Sequence, residues 1–163
     1  MTSTADDLAG RFATEHAAWK ELLAKVPRDR MDESGAMGSW TFTEMVSHLA
    51  AWRRRAIMRL EAAVRGELRP SNPWPDGMDD DAINDWFREQ DEGRSADDLL
   101  AEYDASFARM AAAVAALPPS ANPVESDTPG YYHWNDANGS LESDFFGHMR
   151  GHVDDAERWL AGR

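Results

Sequence analysis

The chain of 163 residues contains no cysteine. That absence excludes a disulfide framework, a thiolate zinc site, an iron–sulfur cluster and a cysteine nucleophile. Cations are scarce as well: 17 Lys and Arg stand against 30 Asp and Glu, a net charge of −13 with a sequence pI near 4.7. Neutralising phosphates takes clustered Lys and Arg, so neither nucleic acid nor an anionic membrane surface is an expected partner. Long apolar runs are missing too. The longest, about Met110 to Leu117, falls far short of the ~20 residues that a membrane span needs. The opening Met1-Thr2-Ser3-Thr4-Ala5-Asp6-Asp7 has no basic stretch followed by an apolar one, so no secretory leader is expected. No segment alternates apolar and polar residues over a useful length, and no internal repeat stands out. Length and composition fit one globular domain over residues 1–163, in the cytoplasm.

What the chain does have is helical spacing. From about Ala5 to Val26, Leu8, Phe12, Trp19, Leu22, Leu23 and Val26 recur at steps near three and four, and Pro27 ends the run. A second helix is expected from about Phe42 to Arg65. Thr41 and Glu44 form a capping-box pair, Trp40 and Met45 hold the positions of a hydrophobic staple, and Gly66 stops the helix. Its apolar stripe reads Met45, Val46, Leu49, Trp52, Ala56, Leu60. After a Pro- and Gly-rich connector, Leu68 to Gly77, the acids Asp79 to Asp81 suit the positive end of a third helix bearing Ile83, Trp86 and Phe87. Glu92-Gly93-Arg94 breaks the pattern, Ser95 with Asp98 caps it anew, and the main helix runs to Leu117. Residues Pro118 to Gly139 show no period but hold Tyr131, Tyr132, His133 and Trp134; loops this long are uncommon and often functional. A fourth helix spans about Ser140 to Leu160, with Phe145, His148, Met149, His152, Ala156 and Trp159 on one face. The expected fold is an all-α four-helix bundle, with a long connector between helices two and three and a long aromatic loop before helix four.

Three of the five histidines fall on apolar faces. His148 and His152 lie four apart, so both imidazoles project from one side of the last helix. His48 sits among Met45, Leu49 and Trp52 on the second. A buried imidazole without a partner leaves polar nitrogens unsatisfied, and one metal ion shared by all three would resolve them together. Three protein ligands with an open fourth position is also how catalytic zinc is held. Spacing alone leaves a second reading open, because a histidine on an apolar face is often a core residue with one hydrogen bond. Of the others, His16 is expected to be partly exposed and His133 to lie at the surface of the aromatic loop.

The stretch Trp40-Thr41-Phe42-Thr43-Glu44-Met45-Val46-Ser47-His48-Leu49-Ala50-Ala51-Trp52 resembles the second-helix motif of DinB-like four-helix-bundle proteins, and within them the ClbS/DfsB group. Ala82-Ile83-Asn84-Asp85-Trp86-Phe87 with Leu99 to Leu117 is similar to that group's third helix. Tyr131-Tyr132-His133-Trp134, Gly139-Ser140-Leu141 and His148 to Trp159 are similar to its C-terminal part. The resemblance implies a long crossover between the second and third helices. It also implies a divalent metal at the positions occupied here by His48, His148 and His152, with zinc or nickel suited to imidazole. It brings with it thiol-dependent enzymes that use mycothiol or bacillithiol, hydrolase-like proteins, and self-resistance to DNA-damaging metabolites.

Two functions follow as expectations. The first is a metal-dependent enzyme acting on a small electrophilic metabolite by hydrolysis or thiol transfer. Its thiol would be a borrowed low-molecular-weight one, since the chain has none. Asp155, about one turn below His152, and Arg53, beside Trp52, are the candidate catalytic residues, although a run such as Arg53-Arg54-Arg55 ordinarily marks a solvated face. The second is binding without turnover in a mouth lined by Trp40, Trp52, Trp86, Tyr131, Tyr132 and Trp134, since aromatic residues dominate small-molecule pockets. Trp19 and Trp159 are expected in the core. A homodimer is compatible with either function.

Overall fold

A computed structural model describes residues 5–67, 70–118 and 146–162. The aromatic stretch Tyr131 to Trp134 and the expected helix start at Ser140 lie outside these residues. The first helix, α1, spans Ala5–Lys25, and Pro27 with a 3-10 turn at Arg28–Arg30 redirects the chain. A hairpin follows: β1 (Ser34–Met37) pairs antiparallel with β2 (Trp40–Thr41). No strand was expected here, because segments of four and two residues are too short for alternation to register. Glycine permits the geometry. Gly35 has φ +111°, and a Cβ on it would stand 3.3 Å from Trp159 Cδ1. Gly38 makes the turn at φ +59°.

Helix α2 (Phe42–Val64) begins with the expected capping box. Thr41 Oγ1 accepts from Glu44 N at 3.1 Å, and Glu44 Oε2 accepts from Thr41 N at 2.8 Å. The third helical stretch divides where Glu92-Gly93-Arg94 interrupts it. It becomes α3 (Asp80–Gln90), capped by Asp79, and α4 (Ala96–Ala115), capped by Ser95. The last described helix is α5 (His148–Ala161).

The bundle is formed by α1, α2, α4 and α5, while α3 lies against α2 within the crossover. One cluster of the core gathers Trp19, Leu22, Phe42, Met45, Leu49, Tyr103, Phe107, Met149 and Leu160 from all four bundle helices. Another gathers Leu8, Phe12, Leu60, Met110 and Phe146 towards the opposite end. A third, smaller cluster of Ala51, Trp74, Ile83 and Phe87 seats the connector and α3 on α2. Trp19 is fully buried, and Trp159 packs half-buried against the first cluster. The fold is therefore the expected all-α bundle, with a small hairpin added at the mouth of α2.

Candidate metal centre

The capped start of α2 fixes the helical phase so that His48 points towards α5, where His148 and His152 stand one turn apart. The ligating nitrogens of His48, His148 and His152 all lie within 4.8 Å of one another. His48 Nε2 is 2.8 Å from His148 Nε2. The ring centroids are 4.7 Å apart for His48 and His148, and 5.2 Å for each pair that includes His152.

All three imidazoles are held neutral. Burial lowers the His48 pKa to about 4, and the charge of His152 adds to this. Burial also pushes His148 well below its ordinary value, helped by His48, His152 and the guanidinium of Arg53. His152 is lowered by burial, against the opposing pull of Asp155. Each neutral ring can offer one nitrogen lone pair, and one nitrogen from each lies within 4.8 Å of the others. His48 meets His148 through Nε2, while its buried Nδ1 has no hydrogen-bond partner. An all-imidazole donor set of this kind suits zinc or nickel.

Aromatic side chains wall the centre. Trp40, carried on β2, stands edge-on to His48 at 5.8 Å, and Trp52 edge-on to His148 at 6.2 Å. Asn84 Oδ1 accepts from Trp52 Nε1 at 2.9 Å and fixes that ring. Trp86 packs on Phe87 at 5.4 Å and so backs the wall. Sequence reasoning missed Trp74, which is buried with its ring 5.5 Å from Trp52. Its signal was Pro73-Trp74-Pro75, a tryptophan between two residues that restrict the backbone. Tyr131 and Trp134 lie outside the described residues.

The arginine run is not a solvated face. Arg53 and Arg55 are buried and Arg54 half-buried. The reason is the period of α2: Arg53 stands four residues after Leu49 and three before Ala56, within the inward stripe. Arg53 donates to the Tyr103 hydroxyl at 3.4 Å and lies 4.6 Å from the Phe107 ring centroid. Arg55 lies 5.1 Å from the Trp74 ring centroid and donates to Asn72. Arg54 makes a paired contact with Glu102 and a 2.8 Å bond to Asp91. Asp91 also accepts from Ser47 at 2.9 Å and from Arg94 at 3.1 Å. Burial opposes its charge, but these donors hold its carboxyl below the ordinary range. This network ties the turn between α3 and α4 to α2, beside a cavity of about 410 Å³ lined by Thr43, Ser47, Arg88, Asp91 and Arg94. Asp155 pairs with Arg158, and its charge reaches His152. His16 is half-buried, 2.6 Å from Asp104 and stacked on Phe107.

No helix among the described residues is long and apolar enough to cross a membrane. No curated protein and no solved structure matches the chain. The model of one protein family does, over residues 12–131, a stretch that carries His48 and its helix and stops short of α5. That span is most of the chain and takes in the capped α2, the crossover and α4. The chain belongs to the mycothiol maleylpyruvate isomerase N-terminal domain family, within the DinB-like superfamily.

Proposed function

We propose that this protein is a metal-dependent enzyme that joins a low-molecular-weight thiol to a small electrophilic metabolite, or hydrolyses it, in detoxification. One observation carries the reading: three neutral, mostly buried imidazoles from two helices bring their nitrogens within 4.8 Å of one another. His48, His148 and His152 would hold the ion, as zinc or nickel. An ion held there supplies Lewis acidity and lowers the pKa of a thiol or water in its open position. The chain's own groups do the rest. Trp40 and Trp52 present apolar edges that exclude water and pack against an organic substrate. The cysteine-free sequence supplies no thiol, so the thiol comes as a cosubstrate, and the family's name points to mycothiol. The same aromatic wall would also serve a protein that only sequesters its ligand, and turnover separates the two. Zinc- or nickel-loaded protein should consume mycothiol in the presence of an unsaturated oxo acid or another electrophile. His148→Ala should lose at least ~100-fold of that rate, on the scale of losing a metal-held nucleophile. Release of every bound ligand unchanged, with no thiol consumed, would favour sequestration.

A further inference from the structure

The short helix α3 does more than carry the chain across from α2 to α4. It packs on α2 through Ile83 and Phe87, which lie one turn apart and are both buried. Asn84 and Arg88 each follow one of them by a single residue, so they share the stripe beside the buried one. Each reaches an indole that stands at the triad. Asn84 Oδ1 accepts from Trp52 Nε1 at 2.9 Å, and Trp52 is edge-on to His148 at 6.2 Å. The Arg88 guanidinium lies 5.4 Å from the Trp40 ring centroid, and Trp40 is edge-on to His48 at 5.8 Å. The helix is itself tied down at both ends. Asp79 caps its start, and Asp91, just past its end, accepts from Ser47 and Arg54 of α2. Rings held from such a platform need little ordering when a ligand arrives, which is the way preorganisation raises affinity.

We propose that Asn84 and Arg88 are positioning residues that set the ligand preference of the site, by holding Trp52 and Trp40 where they favour a molecule with a flat, apolar group beside its metal-seeking atom. Indole rings take such groups in stacked or edge-on contact. The assignment rests on the reading of the triad as a metal centre only for where that atom sits. A plainer role competes. Trp52 is also wedged by Trp74 at 5.5 Å and Phe87 at 5.4 Å, in which case Asn84 only satisfies a half-buried indole N–H. Arg88 argues against that for the pair. It is an exposed side chain whose ion pair with Asp85, at 3.3 Å, is a surface contact of small worth. The face of an indole needs no hydrogen-bond donor, so satisfaction of polar groups does not explain a guanidinium over Trp40. One stripe of α3 thus holds both rings at the triad by two different chemistries, and the shared result is their placement.

Cobalt-loaded protein, its visible spectrum titrated with imidazole and with 4-phenylimidazole, decides between these. Both probes take the open position of the ion, and only the second brings a phenyl ring to the indoles. In the wild type 4-phenylimidazole should bind at least ~10-fold more tightly than imidazole. Asn84→Leu and Arg88→Leu should each lower that ratio ~3- to 10-fold and leave the Kd of imidazole itself within about twofold. Asn84→Asp, which keeps the acceptor, and Arg88→Lys, which keeps the cation, should restore most of the ratio. A wild type without phenyl preference, an unchanged ratio in either Leu variant, or both probes weakened alike would overturn the assignment. Failure to take up cobalt would remove the metal reading instead. The same variants are then read by 4-phenylimidazole quenching of tryptophan fluorescence in the metal-free protein: affinity lowered ~3- to 10-fold by both Leu variants supports the positioning role, and unchanged affinity overturns it.

Discussion

At the scale of single residues, burial keeps the triad neutral at acid pH, where a histidine in water is protonated. An unfolded histidine titrates near 6.5, whereas folded His48 resists protonation down to about 4. Between those values the unfolded chain binds more protons, so stability present above pH 6.5 is lost as pH falls through the window. His48 alone accounts for about 3 kcal/mol of that loss in the metal-free protein. Urea midpoints at pH 7 and pH 4.5 should show it. His48→Asn should flatten the difference, and an unchanged difference would contradict the neutral, buried assignment. The histidines were legible in the sequence because spacing and apolar neighbours together marked them. Arg53 was half-legible: it occupies an inward position, but the triplet of arginines masked the period. Glu15 was open to the same reading, since Leu8, Phe12, Glu15, Trp19 and Leu22 follow one inward stripe and leave it buried.

At the scale of elements, caps and breakers were the most readable features, because each acts within a few residues. Thr41 with Glu44, Asp79 and Ser95 all cap helices where local chemistry requires. The hairpin was not readable, because its stability comes from outside it: β1 packs on α5, and Gly35 makes room for Trp159. Glycine within a helix is another local signal. Gly151 lies inside α5 between His148 and His152, and a Cβ there would meet nothing within 4 Å. Gly151→Ala should therefore stabilise the protein by ~0.5–1 kcal/mol through the backbone alone. Thermal unfolding checks this, and a destabilised variant would mean that α5 needs its flexibility to seat the two histidines. The network around Asp91 is an element-level device of another kind. It pins the α3–α4 turn to the same helix face that carries Ser47, next to His48.

At the scale of the molecule, the bundle brings together residues 100 positions apart, His48 and His148, at 2.8 Å. No local pattern encodes that convergence. It follows from α5 packing against α2 and the hairpin, and thus from the whole core. The excess of acids sits mainly on outer faces and helix starts, such as Asp80 and Asp81 on α3 and Asp97 and Asp98 on α4. The interior near the triad instead concentrates neutral imidazoles, aromatic rings and buried arginine. Binding a metal to the folded state alone also links the ion to the stability of the entire bundle, ~4 kcal/mol at a thousandfold excess over Kd.

The most direct measurement is a calorimetric titration of tag-free, metal-stripped protein with zinc at pH 7.5, repeated on His48→Ala, His148→Ala and His152→Ala. One ion per chain in the wild type, weakened at least ~100-fold by each substitution, is the expected result for ligands of one centre. Absence of stoichiometric binding, or affinity that survives any one of the three substitutions unchanged, would contradict it.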